Sequence, residues 1–241
     1  MFTVERLGPQ ALGLLLDLQE RIHAALPDGS VFQRSSADFL SYCLAEGGRC
    51  YAVRHRGETV AYRVVYFPRD REFNLAKDVP LPAEEYARVA HWDTIAVLPR
   101  WRGHRLSALM NARALSDLRE TGIRHLFATS SPRNPHGVRS LIAAGFRPVR
   151  LVVKFGGNQR FLFYRPFPGG WEPAGDDAPD DAQDHTGGKL LPLSATGDLE
   201  AAFGSGWIGT DLHMGVANAT NGTDGTAPRL RMRRRSLPFG T

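Results

Sequence analysis

His91-Trp-Asp-Thr-Ile-Ala-Val-Leu-Pro-Arg-Trp-Arg-Gly-His-Arg-Leu-Ser107 is an apolar run that breaks at Pro99 and restarts as a helix. Asp93, Ile95 and Val97 alternate with Thr94 and Ala96 as a strand would, and Pro99 ends the ladder because it has no N–H to donate. A helix is expected from about Arg102, with Leu106, Leu109, Met110, Ala114, Leu115 and Leu118 on its apolar stripe and Gly122 at the C-terminal cap. The first turn of such a helix has four N–H groups without intrahelical partners and carries the positive end of the macrodipole. Arg102 and Arg105 add full charges there. Strand, break and basic helix start together form an anion site suited to a phosphate or pyrophosphate.

Outward from this stretch, Phe2 to Leu7 reads as a strand and Gln10 to Ala25 as a helix with an apolar stripe at Leu12, Leu15, Leu16, Ile22 and Leu26. Ser36 caps a second helix reaching about Ala45 before Gly47-Gly48. Cys50 to Arg54 and Thr59 to Phe67 form a hairpin around Gly57. The loop from Pro68 to Pro82, followed by a helical piece at Ala83 to Val89, is a candidate substrate-facing element. Beyond the long helix come a short strand, His125 to Ser130, and a segment from Asn134 to Phe146 that holds Gly137, Ser140, Leu141 and Gly145. Val149 to Phe155 and Arg160 to Tyr164 are joined by Gly156-Gly157-Asn158, a strong hairpin signal.

The two segments, Pro99 to Ser107 and Asn134 to Phe146, resemble the acyl-CoA motifs of the GNAT superfamily of N-acyltransferases. Its Arg/Gln-x-x-Gly-x-Gly/Ala motif begins here at Arg102, with Arg105 in place of the central Gly and Ser107 in place of the last Gly/Ala. The resemblance covers roughly residues 2 to 165. It implies an α/β fold, a central mixed sheet of about six or seven strands flanked by helices, with a C-terminal extension. Acetyl-CoA or another acyl-CoA is the implied co-substrate and a small or peptidyl amine the acceptor; no metal is required. The implied CoA contacts are Ile95, Ala96, Val97, Arg102, Gly103, His104, Arg105, Leu106 and Ser107, with Asn134 and Ser140 from the second segment. Pantetheine would enter between parallel strands as though it were a missing strand, its amides matching unpaired edge groups.

Acyl transfer from a thioester to an amine needs a base for the ammonium proton, donors facing the carbonyl oxygen and an acid for the thiolate. His91 and Asp93 precede Val97 by six and four residues, so a regular strand sets all three on one face. These positions resemble those where arylalkylamine-type members keep two His residues, and His91 also matches the Glu of histone-type members. His suits a base by its ordinary pKa, whereas Asp93 would need burial, or would orient His91 or the substrate ammonium. Backbone N–H groups around Ile95 to Val97 are the implied carbonyl donors. Leu141 stands where the family usually has an acidic Tyr; Ser130, Ser131, His136 and Ser140 are the nearby substitutes, with Ser131 the chosen candidate.

The chain has 241 residues, 42% hydrophobic and 23% charged, which suits one core domain plus an appendage. It has no run of 18 apolar residues and no secretory leader at its N-terminus, so a cytoplasmic protein without membrane contact is expected. Cys43 and Cys50 read as reduced thiols rather than a zinc or disulfide framework. The expected organisation is an acetyltransferase domain over 1–168, an acidic flexible linker over 169–189 and a small or partly disordered extension over 190–241 with an Arg-rich end. Leu190 to Met214 reads as a helix and turn, and Asn218 to Thr226 as a flexible stretch with two sequons.

Net charge is +5, but residues 169–241 hold six basic and ten acidic side chains, leaving +9 on residues 1–168. A basic core suits a co-substrate bearing several phosphates. Two further readings remain at this point: a catalytically weak acyl-CoA sensor or scaffold, which the missing Tyr favours, and a nucleic-acid partner through Arg229, Arg231, Arg233, Arg234 and Arg235. The latter ranks last because the tail lacks interleaved aromatics; a mobile tail contacting the acidic linker accounts for it equally. Exposed end strands of this fold often pair between subunits, which leaves a homodimer open.

Overall fold

A computed structural model describes residues 1–26, 32–170, 188–214, 227–234 and 237. Of the expected linker at 169–189, residues 171–187 lie outside these, as does the sequon stretch at 218–226. The chain divides into two compact units, one of Met1–Lys77 with Pro82–Leu126, the other of Asp78–Leu81 with the described residues from Phe127 onward. Among the described residues seven strands form a mixed sheet in the order Phe2–Leu7, Gly48–His55, Glu58–Tyr66, Val89–Val97, His125–Ser130, Asn158–Pro166, Arg147–Lys154, and three more form a small separate sheet in the order Lys189–Pro192, Arg229–Arg234, Trp207–His213.

In the first unit, β1 (Phe2–Leu7), β2 (Gly48–His55), β3 (Glu58–Tyr66) and β4 (Val89–Val97) pair antiparallel in succession. Helices α1 (Leu12–Ala24) and α2 (Ala37–Ala45) join β1 to β2, and α3 (Leu106–Leu118) follows β4. A short 3-10 turn, Pro9–Ala11, precedes α1, and Ser36 caps α2 by accepting the Phe39 N–H at 3.2 Å. The β2–β3 hairpin turns through Arg56 and Gly57, both at positive φ, the type I′ geometry that suits the twist of its strands.

The two sheet faces have separate cores. Leu15, Leu18 and Ile22 of α1 and Leu40, Cys43 and Leu44 of α2 bury Cys50, Ala52, Tyr62, Val64, Tyr66 and Ala96. On the other face Leu106 and Met110 of α3 pack on Val53, Val60 and Ala61, with Ile95 and Val97 beside them. The buried stripe of α3 is Leu106, Met110, Ala114 and Leu118, a strict four-residue spacing; Leu109, expected on that stripe, is exposed and Leu115 is half-buried. Both thiols are free and fully buried, and burial pushes that of Cys50 up to about 12 and that of Cys43 up as well.

The loop between β3 and β4 carries a 3-10 helix at Ala83–Arg88, where the helical piece is expected, and a further 3-10 turn at Leu75–Asp78. Asp78 belongs to the second unit because Lys154 pairs with its carboxylate at 2.8 Å and Arg150 donates to its carbonyl. That unit contains α4 (Pro135–Ala143), β6 (Arg147–Lys154), β7 (Asn158–Pro166) and most of β5 (His125–Ser130). Phe161, Leu162, Phe163 and Tyr164 of β7 are all buried, so both faces of this strand are covered.

The C-terminal extension is more ordered than the sequence suggests. Besides α5 (Thr196–Gly204) it contains β8 (Lys189–Pro192), β9 (Trp207–His213) and β10 (Arg229–Arg234). Four of the five tail arginines therefore lie in the central strand of a sheet, not in a mobile tail. The physical reason is alternation: Leu230 and Met232 are fully buried between them, the two-residue period of a half-buried strand. Arg231 Nε donates to His213 Nε2 at 3.1 Å, and Phe203 of α5 meets Phe161 of β7 edge-on at 6.2 Å.

Gly48 opens β2 where a Cβ would stand 2.2 Å from the carbonyl oxygen of Val65. Because that neighbour is backbone, it cannot rotate away. Gly48→Ala should lower stability by about 1–3 kcal/mol in urea denaturation.

Candidate active site

One irregularity organises the site. Arg63 pairs with Ile95 and Val65 with Trp92, so two residues of β4, Asp93 and Thr94, stand opposite the single Val64 of β3. This bulge breaks the expected common face of His91, Asp93 and Val97. Ile95 and Val97 join the α3 core, whereas His91 pairs with Tyr66 on the face that α1 and α2 cover, their rings 5.4 Å apart.

His91 is 5% exposed, and its Nε2 accepts the backbone N–H of Leu75 at 3.0 Å. That donor fixes Nε2 as an acceptor and puts the ring proton of the neutral imidazole on Nδ1. Neither nitrogen then has a free lone pair to receive a substrate proton. In this conformation His91 anchors the β3–β4 loop, together with Asn74, whose Oδ1 accepts the Ala76 N–H at 3.0 Å.

Asp93 presents a different arrangement. Its side chain is open to solvent, and its Oδ1 accepts both the Thr94 N–H at 2.8 Å and the Thr94 hydroxyl at 2.9 Å. Surrounding protein atoms raise its carboxyl above the ordinary carboxylate range, opposed by the Thr94 bonds and the charge of Arg63. Arg63, which sequence reasoning missed, is a buried cation whose guanidinium lies 4.5 Å from the Trp92 ring centroid. Its Nε and Nη1 have no hydrogen-bond partner among the described residues, and burial lowers its pKa to about 9. A charged residue in the middle of an apolar strand was the available signal.

The anion turn begins with a 3-10 turn, Pro99–Trp101, and α3 starts at Leu106, not at Arg102. Gly103 and Arg105 both have positive φ, at +84° and +57°. The left-handed residue at 105 reverses the chain immediately before the helix and supplies no side-chain cap, so the first-turn amides, including those of Leu106 and Ser107, remain available. The side chains of Arg102, His104 and Arg105 are exposed, Ser107 is half-buried and Leu106 is buried. The turn is held by stacking: Trp101 lies 4.7 Å from His55 and 5.7 Å from both Phe2 and His104. Arg100 pairs with Glu58, which also pairs with Arg21 at 3.0 Å. Backbone amides, two arginines and a fixed turn fit a pyrophosphate.

The remaining candidates lie in the second unit. Asn134 caps α4, its Oδ1 accepting the Gly137 N–H at 2.9 Å. Ser131 Oγ accepts the Arg133 N–H at 3.2 Å, a local turn bond that leaves its own proton for another acceptor. Ser140 lies half-buried in α4. A Cβ at Gly137 would lie 2.7 Å from Ser130 Oγ and 2.8 Å from Asn134 Nδ2, so those side chains would have to shift to admit one. No group of three or more His, Cys, Asp or Glu placed to hold a metal occurs among the described residues.

The model of the acetyltransferase (GNAT) family matches residues 15–146. Among curated proteins, none matches the chain by sequence. Among solved structures, Arabidopsis thaliana NAA60 in complex with acetyl-CoA is similar with a TM-score of 0.54 at 15% identity, over 69% of this chain and 99% of that one. The aminoglycoside acetyltransferase AAC(6')-Ib, solved with coenzyme A and kanamycin, gives 0.51 at 16% identity, over 69% and 95%. These likenesses show the shared fold.

Two stability measurements check the local geometry. Arg105→Gly should raise stability by about 1 kcal/mol, because a left-handed conformation is strained for Arg and free for Gly, whereas Arg105→Val should lower it. His91→Ala should cost about 1–3 kcal/mol by leaving the Leu75 N–H without its acceptor. Urea denaturation of the three variants reads out both effects.

Proposed function

Because the chain belongs to the acetyltransferase (GNAT) family, we propose that it moves an acetyl or other short acyl group from acyl-CoA to a primary amine in a ternary complex. The observation that carries this reading is the turn at Gly103–Arg105, which bares the first amides of α3 between basic side chains. The pyrophosphate of the co-substrate would rest on the N–H groups from Gly103 to Ser107, with Arg102 and Arg105 neutralising its charge. Acyl-CoA supplies the activated thioester carbonyl. Backbone N–H groups of Ile95 to Val97 would face its oxygen as charge develops there.

Asp93 serves as the base. Its carboxylate binds the incoming ammonium, removes one proton and frees the nitrogen lone pair to attack the carbonyl carbon. The nitrogen of the tetrahedral adduct still carries one surplus proton; the adduct releases it and expels the thiolate, and water passes that proton to the sulfur, leaving the amide and free CoA. A pKa raised above the ordinary carboxylate range improves Asp93 as an acceptor, while its solvent access gives an amine a route to it. AAC(6')-Ib was solved with kanamycin, an aminoglycoside, so polyamines and aminoglycosides are the first acceptors to screen. The buried free thiols accord with a reducing, cytoplasmic environment.

Calorimetric titration with acetyl-CoA should give saturable binding. Arg102→Glu should weaken it tenfold or more, about 1.4 kcal/mol, because a carboxylate would then sit beside two phosphates. An unchanged dissociation constant, or no binding by the unaltered protein, would remove the premise.

A further inference from the structure

The proton inventory around the bulge assigns roles to two hydroxyls outside the expected site. Thr94 Oγ1 has one proton, and it goes to Asp93 Oδ1 at 2.9 Å. In the 3.4 Å contact between Ser35 Oγ and Thr94 Oγ1, Ser35 must therefore donate and Thr94 accept. Ser35 is itself clamped: its carbonyl accepts from Gln19 Nε2 at 3.0 Å and its N–H donates to Gln19 Oε1 at 2.8 Å. Gln19 is buried in α1, where the Tyr62 hydroxyl reaches its Oε1 at 3.4 Å. A chain of bonds thus runs from a fixed amide in the core, through two hydroxyls, to one oxygen of a solvent-open carboxylate. The other oxygen, Asp93 Oδ2, has no hydrogen-bond partner among the described residues.

We propose that Thr94, backed by Ser35, is the positioning residue that fixes the Asp93 carboxylate on the bulge, holding Oδ1 and presenting Oδ2 to the acceptor ammonium. The inference deepens the assignment of Asp93 as base and rests on it for its catalytic meaning. Bond lengths rank the contributions. The Thr94 bonds are of ordinary strength, whereas 3.4 Å between hydroxyl oxygens is weak, so most of the effect belongs to Thr94. Both bonds favour the charged form of Asp93 and hold its pKa below the value that its surroundings would otherwise impose.

The ionisable groups coupled electrostatically to Asp93 include Arg63 and Tyr62 from β3, Cys50 from β2 and Cys43 from α2, and His91 lies two residues before it on β4. Arg63 is cationic near neutrality and favours the carboxylate, with its pKa at about 9. The phenol and both thiols are pushed upward by burial and stay neutral there. The cation, the phenol and the thiols do not titrate with Asp93 in the acid range, and Thr94→Val leaves His91 and its Leu75 contact in place, so a change in the midpoint on altering Thr94 reports the hydroxyl bonds.

The test is a carboxyl NMR titration of Asp93 in the full chain, with the resonance assigned through Asp93→Asn. Thr94→Val keeps the shape and removes the hydroxyl; it should raise the Asp93 midpoint by about one pH unit, a tenfold change in proton affinity. Thr94→Ser should restore it, and Ser35→Ala should raise it by a smaller amount. Ser36→Ala, which removes the α2 cap nearby, should lower stability and leave the midpoint in place. A Thr94→Val midpoint equal to that of the unaltered protein overturns the proposal. The pH profile of kcat/KM with an accepted amine separates the two levels of the argument. An acid limb that moves with the NMR midpoint supports positioning of a working base. A moved midpoint with an unmoved limb leaves the bonds standing and sinks Asp93 as base.

Discussion

The extra residue in β4 opposite Val64 is the constraint on which the rest of this site depends. A strand alternates its side chains strictly, so one inserted residue exchanges the faces of everything on one side of it relative to the other. Here Ala96 and His91, an odd number of residues apart, share the α1/α2 face, while Ile95 and Val97 serve the α3 core. A regular strand would put His91 on the face of Ile95 and Val97, away from Tyr66 and the Leu75 amide. The bulge also leaves Asp93 and Thr94 adjacent and able to bond each other, which consecutive residues on opposite faces of a regular strand do not do.

Arg63 shows that this region is not arranged for stability alone. Stacking a desolvated guanidinium on an indole gains on the order of 2 kcal/mol. Removing the same charge from water costs several kcal/mol when its N–H groups find no acceptor, as holds for Nε and Nη1. The balance is unfavourable to folding, and an apolar residue would pack this position at less cost. Its electrostatic effect is felt at Asp93, whose charged form it favours against the crowding that disfavours it. Local rules broken without a structural gain are characteristic of sites kept for chemistry.

Much of the fold was legible because its signals are local. The cap at Ser36, the hairpin turn around Gly57 and the apolar spacing of α1 each follow from a few neighbouring residues. The bulge left no such signature: Asp93 and Thr94 fit the alternation of a regular strand, and only pairing with β3 reveals the extra residue. The late start of α3 escaped for a related reason, since Arg105 in a left-handed conformation defies the usual preference for Gly that sequence reading relies on. The C-terminal strand carries a pattern that its charge masks. Arg229-Leu230-Arg231-Met232-Arg233 alternates with a period of two, but five arginines drew attention to charge before pattern.

The two faces of β4 hold the two halves of the candidate site separately. Its C-terminal half, with Ile95 and Val97, packs with α3 and leads into the anion turn, which stacked Trp101 and the Arg100–Glu58 pair hold in advance of any ligand. A turn already ordered loses little entropy when an anion binds, so its amides contribute most of their attraction to affinity. The bulge belongs to the opposite face, where Gln19 and Ser35 tie Asp93 to the α1/α2 core. Only two residues, Asp93 and Thr94, separate the His91-Trp92 end of the strand from Ile95. A carboxylate tied to one helical layer therefore lies close in sequence to amides fixed by the other. Each layer can hold its own group rigidly because neither the α1/α2 pair nor α3 has to accommodate both.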